Sequence, residues 1–254
     1  MVGRLTEMGV SERIQSLWIG RRLSKLEQLS IGSFLTHGHE YHLYVYEDIE
    51  NAPKGTVLKA ADQILPESMI FQYRTHPSYA GFSNFFRYRL LLHEGGWWVD
   101  TDVVCLRPFD FEARFVFASE RVDGRAVPTT AVIKVPPGSE MMAFNWHLCR
   151  ACQNPSDVVW GEHGPKLMAN AITKFGMQAF VKDPDIFCPL AYNEWESLLL
   201  PGKLPGFSED THGIHLWNEM WRRNARDKDA CYAPECAYER LKEKILTGPR
   251  TASL

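Results

Sequence analysis

The run from Phe82 to Asp102, FSNFFRYRLLLHEGGWWVDTD, restricts the possible folds more than any other stretch of the chain. Phe82, Phe85, Phe86, Leu90 and Leu92 recur close to the 3.6-residue period of a core-facing helix, and Ser83 or Asn84 can cap its start. Asn84, Arg87 and Leu91 share a second face. Gly95-Gly96 follows where the helix must stop in a left-handed conformation. Trp97-Trp98-Val99 then supplies the aromatic and β-branched residues of a buried strand, with Asp100 and Asp102 at its end. On an extended chain, carboxylates two residues apart point the same way and repel unless a divalent cation neutralises them. Hard oxygen ligands suit manganese or magnesium, ions that keep positions open for water and substrate phosphates. The pair is a candidate handle for a metal and a diphosphate.

The rest of the chain alternates short strands with helices, the pattern of a doubly wound α/β sheet. Ile14 to Gly20 reads as a first strand ending in a turn, residues 21–36 as a helix, and Tyr41 to Tyr46 as a second strand. Thr56 to Leu65 is expected to be a helix stopped by Pro66. Val103 to Leu106 continues the strand that carries the acidic pair, until Arg107-Pro108 breaks it. Phe115 to Ala118 and Ala131 to Val135 are further strands. Helices follow from about Ser139 to Cys152 and, after the glycine-rich loop Trp160 to Pro165, over KLMANAITKF. Gly213 to Asn218 is a last strand, on which His215 points opposite to Ile214 and Leu216 and so toward a site if those two face the core. Residues 235–246 form an amphipathic helix whose mixed charges argue against a membrane anchor.

With 254 residues, 45% hydrophobic and 23% charged, the chain is long enough for one complete core, and residues 1–254 are expected to form a single catalytic domain. A net charge of −3 gives no reason to expect nucleic acid as partner. The first twenty residues, with Arg4, Glu7, Glu12 and Arg13, lack an apolar signal core, and no later run is long enough to span a bilayer. The expectation is a soluble, cytoplasmic protein with reduced cysteines.

The order serine, polar residue, two apolar residues, arginine, helix, Gly-Gly, aromatic, Asp-x-Asp is carried by Ser83, Asn84, Arg87, Gly95, Gly96, Trp98, Asp100 and Asp102. It resembles the DXD glycosyltransferases, which include initiating mannosyltransferases, α-1,4-galactosyltransferases and the catalytic domains of large glucosylating bacterial toxins. The resemblance implies a GT-A-like domain with a Rossmann-like, mostly parallel sheet flanked by helices. It implies metal-dependent transfer of a sugar from a nucleotide-sugar, a UDP-sugar first of all, to a hydroxyl on a glycan, lipid-linked or protein acceptor, with retention of the anomeric configuration, in polysaccharide or glycan biosynthesis. In that reading Asp102 binds the ion directly, Asp100 holds the ribose and reaches the ion through water, and Arg87 hydrogen-bonds the donor sugar or its phosphate. Trp18 is the platform for the base, with Asn84 and Trp98 also on the donor side. Asn84 stands where the toxins carry aspartate. Glu162 would bind an acceptor hydroxyl or the transferred sugar, and it is the candidate base if configuration inverts. His215 would complete the metal site.

Two other classes fit part of the pattern. Val99-Asp-Thr-Asp-Val103 also matches haloacid-dehalogenase-type phosphatases, in which Asp100 would be the nucleophile. That motif normally follows the first strand and needs a later acidic pair, such as Asp183-Pro-Asp185. A non-catalytic sugar-nucleotide-binding module is the other.

Overall fold

The computed structural model describes residues 13–202 and 207–247. In chain order the elements are β1 (Ile14–Trp18), α1 (Lys25–Thr36), β2 (Tyr41–Val45), β3 (Val57–Ala60), α2 (Ala80–Glu94), β4 (Gly96–Val99) and β5 (Val103–Cys105). They continue with β6 (Val116–Val122), β7 (Arg125–Val135), α3 (Glu140–Ala151), α4 (Leu167–Lys174), α5 (Pro184–Phe187), β8 (Gly213–His215), α6 (Asn218–Arg223) and α7 (Ala237–Leu246). The main sheet has the order β3-β2-β1-β4-β7-β6, with β5 and β8 paired separately. β1, β2, β3 and β4 run parallel, β7 joins β4 antiparallel, and β6 pairs antiparallel with β7 and so runs in the direction of the first four. This is the α/β architecture with a mostly parallel sheet that the alternation of elements predicts.

Chain order reverses beside β1: β2 and β3 extend the sheet one way, β4 the other. Ligands bind outside the carboxyl ends of strands at such a switch point. Trp18 ends β1 and Asp100 follows β4, so the fold sets them side by side at that edge.

Period-two alternation on β4 sends its tryptophans to opposite faces. Trp98 packs with Phe82, Phe86, Ile133 and Trp146 beneath α2 and α3, and Trp97 with Phe34, Phe109 and Phe187 on the other face. A third apolar cluster joins Leu26 and Leu29 of α1 to Val104, Ile214, Trp221 and Tyr238. It anchors β8 and α6 against the sheet.

Several expected elements differ. The segment expected as a helix over 56–65 is instead β3, the outer strand paired with β2, followed by a short 3-10 turn at Ala61–Gln63. Its Val57 and Leu58 are exposed, so its apolar residues do not form a buried helical stripe. α2 begins at Ala80 without a side-chain cap, and Ser83 serves Arg87 instead. β5 does not extend β4: the Val103 N–H bonds back to the Asp100 carbonyl at 3.0 Å, and the chain turns out of the sheet to meet β8. The last strand stops at His215, and Asn218 already begins α6. β6 and β7 form a longer hairpin than expected, turning at Asp123 and Gly124 with φ of 48° and 74°.

Candidate active site

Gly95 closes α2 with φ 60° and ψ −159°, and its N–H bonds to the Leu91 carbonyl at 3.1 Å. A Cβ at this position would lie 2.4 Å from the Pro137 nitrogen, so only glycine lets the helix end pack on the Pro136-Pro137-Gly138 turn. The chain then enters β4 directly and delivers Asp100 five residues later.

Asp100 and Asp102 sit on a tight turn rather than on the extended chain expected from their spacing. They converge nonetheless. Ligand atoms of Asp100, Asp102 and His215 all lie within 4.8 Å of one another. β8 brings in the histidine, with Val103 paired to His215 in the β5–β8 ladder. Ile214 and Leu216 face the apolar cluster, as the alternation predicts. Trp217 then adopts a left-handed conformation, φ 58° and ψ 52°, and lies 4.0 Å from the His215 ring. For a bulky residue this conformation is strained. It turns the chain so that the Asn218 N–H donates to Asp102 Oδ2 at 2.8 Å.

The two aspartates are held differently. Asp100 Oδ1 accepts from Arg87 Nη2 at 2.9 Å and from Trp98 Nε1 at 2.8 Å. Arg87 also donates to the Thr130 carbonyl at 2.7 Å and to Ser83 Oγ at 2.9 Å, and its guanidinium stacks 4.8 Å from the Trp98 ring centre. Asp102 Oδ2 meets His215 Nε2 at 3.1 Å. Burial and the Asp102 charge push the Asp100 carboxyl up, and Arg87 only partly offsets them. Burial would also raise Asp102, but the His215 charge and hydrogen bonds outweigh it and hold the carboxyl below its usual range. His215 is raised well above an ordinary histidine because attraction to Asp102 overcomes its own burial. Two close carboxylates that titrate in opposite directions, plus an imidazole, form a donor set fitting a divalent cation of the manganese class.

These groups line a cleft of about 400 Å3 that also includes Trp18, Asn84, Trp98, Glu120, Thr129, Trp160 and Glu219. Seven of the residues singled out in the sequence therefore meet there: Trp18, Asn84, Arg87, Trp98, Asp100, Asp102 and His215. Trp98 is buried and acts through Asp100 and Arg87. Glu162 is not brought in. It is exposed, and its carboxylate accepts the Val159 N–H at 3.2 Å across its own loop. The basic run from the end of α6 onward is mostly tied to carboxylates, Arg222 and Arg223 to Glu219 and Lys228 to the buried Glu27. Glu120 was not singled out in the sequence. Burial pushes its carboxyl up, and the signal that could have found it is the Asp123-Gly124 turn, which marks a hairpin around it.

Residues 24–120 match the family model described as "Glycosyltransferase sugar-binding region containing DXD motif". That segment runs from the cap of α1 into β6 and contains Arg87, Asp100 and Asp102, so the match takes in the acidic pair and the arginine that holds it. Among solved structures the chain is similar to "PaToxG Glycosyltransferase", at 17% identity over 67% of this chain and 72% of that one, with a TM-score of 0.48. It is also similar to "WbbM bifunctional glycosytransferase apo structure", at 14% identity over 98% of this chain and 51% of that one, with a TM-score of 0.47. A comparison with curated proteins gave no significant match. No described helix is long and apolar enough to cross a membrane.

Proposed function

We propose that the chain is a metal-dependent, retaining glycosyltransferase that moves a sugar from a nucleotide-sugar, a UDP-sugar first of all, to a hydroxyl acceptor, and that it acts as one catalytic domain. The observation that carries this reading is the convergence of Asp100, Asp102 and His215 at the switch-point cleft beside Trp18. Asp100, Asp102 and His215 would hold manganese or magnesium, which when bound offsets the charge of a departing diphosphate.

The protein's own groups divide the remaining work. Trp18 offers a part-exposed ring at the carboxyl end of β1, suited to stacking on a base. Arg87 is a positioning residue, because Ser83, Thr130 and Asp100 take most of its N–H groups and leave little for a donor. It fixes the Asp100 carboxylate and partly offsets the burial that disfavours its charge. The Asn218 N–H and His215 do the same for Asp102. Asn84, buried on the cleft wall, is close to Gly164, where a Cβ would approach its Nδ2 to 3.0 Å. That closeness leaves no room for a side chain at 164. Retention is supported by the family resemblance; in a front-face displacement the leaving phosphate oxygen takes the acceptor's proton.

The phosphatase reading is disfavoured because Asp100 follows the fourth strand and is clamped by Arg87 and Trp98. The test is a thermal-shift panel of UDP-glucose, UDP-galactose, UDP-N-acetylglucosamine and GDP-mannose, with and without manganese. A ligand that binds only the folded state stabilises it. Manganese-dependent stabilisation by a UDP-sugar is expected. No stabilisation by any of them would contradict the proposal.

A further inference from the structure

Four carboxylates line the cleft, Asp100, Asp102, Glu120 and Glu219. Three have partners: Asp100 has Arg87 and Trp98, Asp102 has His215 and the Asn218 N–H, and Glu219 has Arg222 and Arg223. Among the described residues no hydrogen bond or ion pair holds the Glu120 side chain, and the one charge that acts on it is His215, whose attraction burial outweighs. Glu120 is half-buried on the cleft wall with its carboxylate bonded to no other side chain, whereas a glutamate serving only the fold would be placed in solvent or given a partner. Glu120 points to a ligand.

Sheet order says which part of a ligand. Along the strand ends Trp18 belongs to β1, Asp100 follows β4, and Glu120 lies on β6, two strands beyond β4 in the order β1-β4-β7-β6. The acidic pair thus stands between the indole and Glu120. A nucleotide-sugar has the same order, base, diphosphate, sugar. Glu120 pairs with Val127 across the hairpin, which makes Thr129 its diagonal neighbour on the same face. Thr129 and Thr130 are both buried and both line the cleft. A carboxylate that can accept two hydroxyl hydrogen bonds, next to threonine hydroxyls that donate or accept, complements a polyol better than it complements a phosphate or a base.

We propose that Glu120, with Thr129 beside it, binds hydroxyl groups of the transferred sugar and thereby selects the donor. The assignment rests on the nucleotide-sugar reading given above. It makes Glu120 a specificity-determining residue that reads the sugar and leaves the nucleotide diphosphate untouched.

The experiment is calorimetry in manganese buffer on wild type, Glu120→Ala and Glu120→Gln, titrated with UDP and with each UDP-sugar of the panel. Glu120→Ala is expected to leave UDP affinity within about two-fold while weakening the best UDP-sugar by about ten-fold or more, the scale of a lost hydrogen bond to a charged group. Glu120→Gln keeps the shape and should fall between. Because no hydrogen bond or ion pair holds the deleted charge and its burial outweighs the attraction of His215, the metal-free melting temperature of either variant should equal or exceed that of wild type. Equal weakening of UDP and UDP-sugar, no weakening of either, or a clear fall in melting temperature would each overturn the assignment. Wild type failing to bind UDP at all would instead remove the donor reading on which it rests.

Discussion

Replacing Gly95 with alanine tests how the helix-to-strand junction places the acidic pair. The residue has φ 60° and ψ −159°, a region populated essentially by glycine, where a side chain costs about 1–3 kcal/mol. The added Cβ would also sit 2.4 Å from the Pro137 nitrogen and 2.5 Å from its Cδ, both tied into a turn that cannot swing away. Gly138 keeps that turn in place by donating to the Leu92 carbonyl at 2.7 Å. Relieving such an overlap by backbone shifts costs about another 1–3 kcal/mol. The sum is about 4 kcal/mol, which for a domain of this size lowers the melting temperature by roughly 10 °C. Gly138→Ala is the control, since its φ of 71° is also left-handed but a Cβ there meets nothing within 4 Å. It should cost only about 1–2 kcal/mol. Urea denaturation of the two variants with a common m-value gives the comparison. Equal losses would refute the claim that contact with Pro137, rather than backbone conformation alone, demands glycine at 95.

Arg87→Lys should destabilise the protein by about 1–3 kcal/mol in chemical denaturation, because one ammonium cannot serve Thr130, Ser83 and Asp100 together. His215→Ala should raise the manganese concentration needed for half-maximal donor binding, and an unaltered manganese titration would leave His215 as a structural partner of Asp102 alone. In the metal-free protein the folded pKa of His215 is raised, so its contribution to stability is complete below the unfolded value of about 6.5 and is lost as pH rises through the folded value. The difference in melting temperature between wild type and His215→Asn should therefore shrink on going from pH 6 to alkaline buffer, and a difference independent of pH would contradict the ion pair.

What could be read from the sequence was mostly local. The α2 stripe, the Gly95-Gly96 stop, the buried β4 and the acidic pair lie within one run, and each rests on neighbours a few residues away. His215 was accessible because two apolar neighbours fix which way a strand residue points. Thr56 to Leu65 reads as a helix because the strand character of Val57–Ala60 comes from pairing with β2, and a pattern without strict alternation does not report that. The Asp-x-Asp turn is set by β5 leaving the sheet to pair with β8, a contact between segments more than a hundred residues apart. That Glu120 rather than Glu162 lines the cleft has a similar origin. A carboxylate in a glycine-rich loop draws attention in a sequence, whereas Glu120 gains its position from hairpin register and from the place of β6 in the sheet.

The measurement that tests the central claim most directly is calorimetry of a UDP-sugar binding to wild type and to Asp102→Asn, each with manganese and with chelator. Asparagine keeps an oxygen that can accept the Asn218 N–H but loses the charge that faces His215 and the ion. The account predicts tight binding by wild type only in manganese, and a loss of about a hundred-fold or more in the variant, the scale of removing one partner from a buried charged cluster. Wild-type affinity in the variant, or equal wild-type affinity in chelator, would contradict the assignment of Asp100, Asp102 and His215 as a metal and diphosphate site.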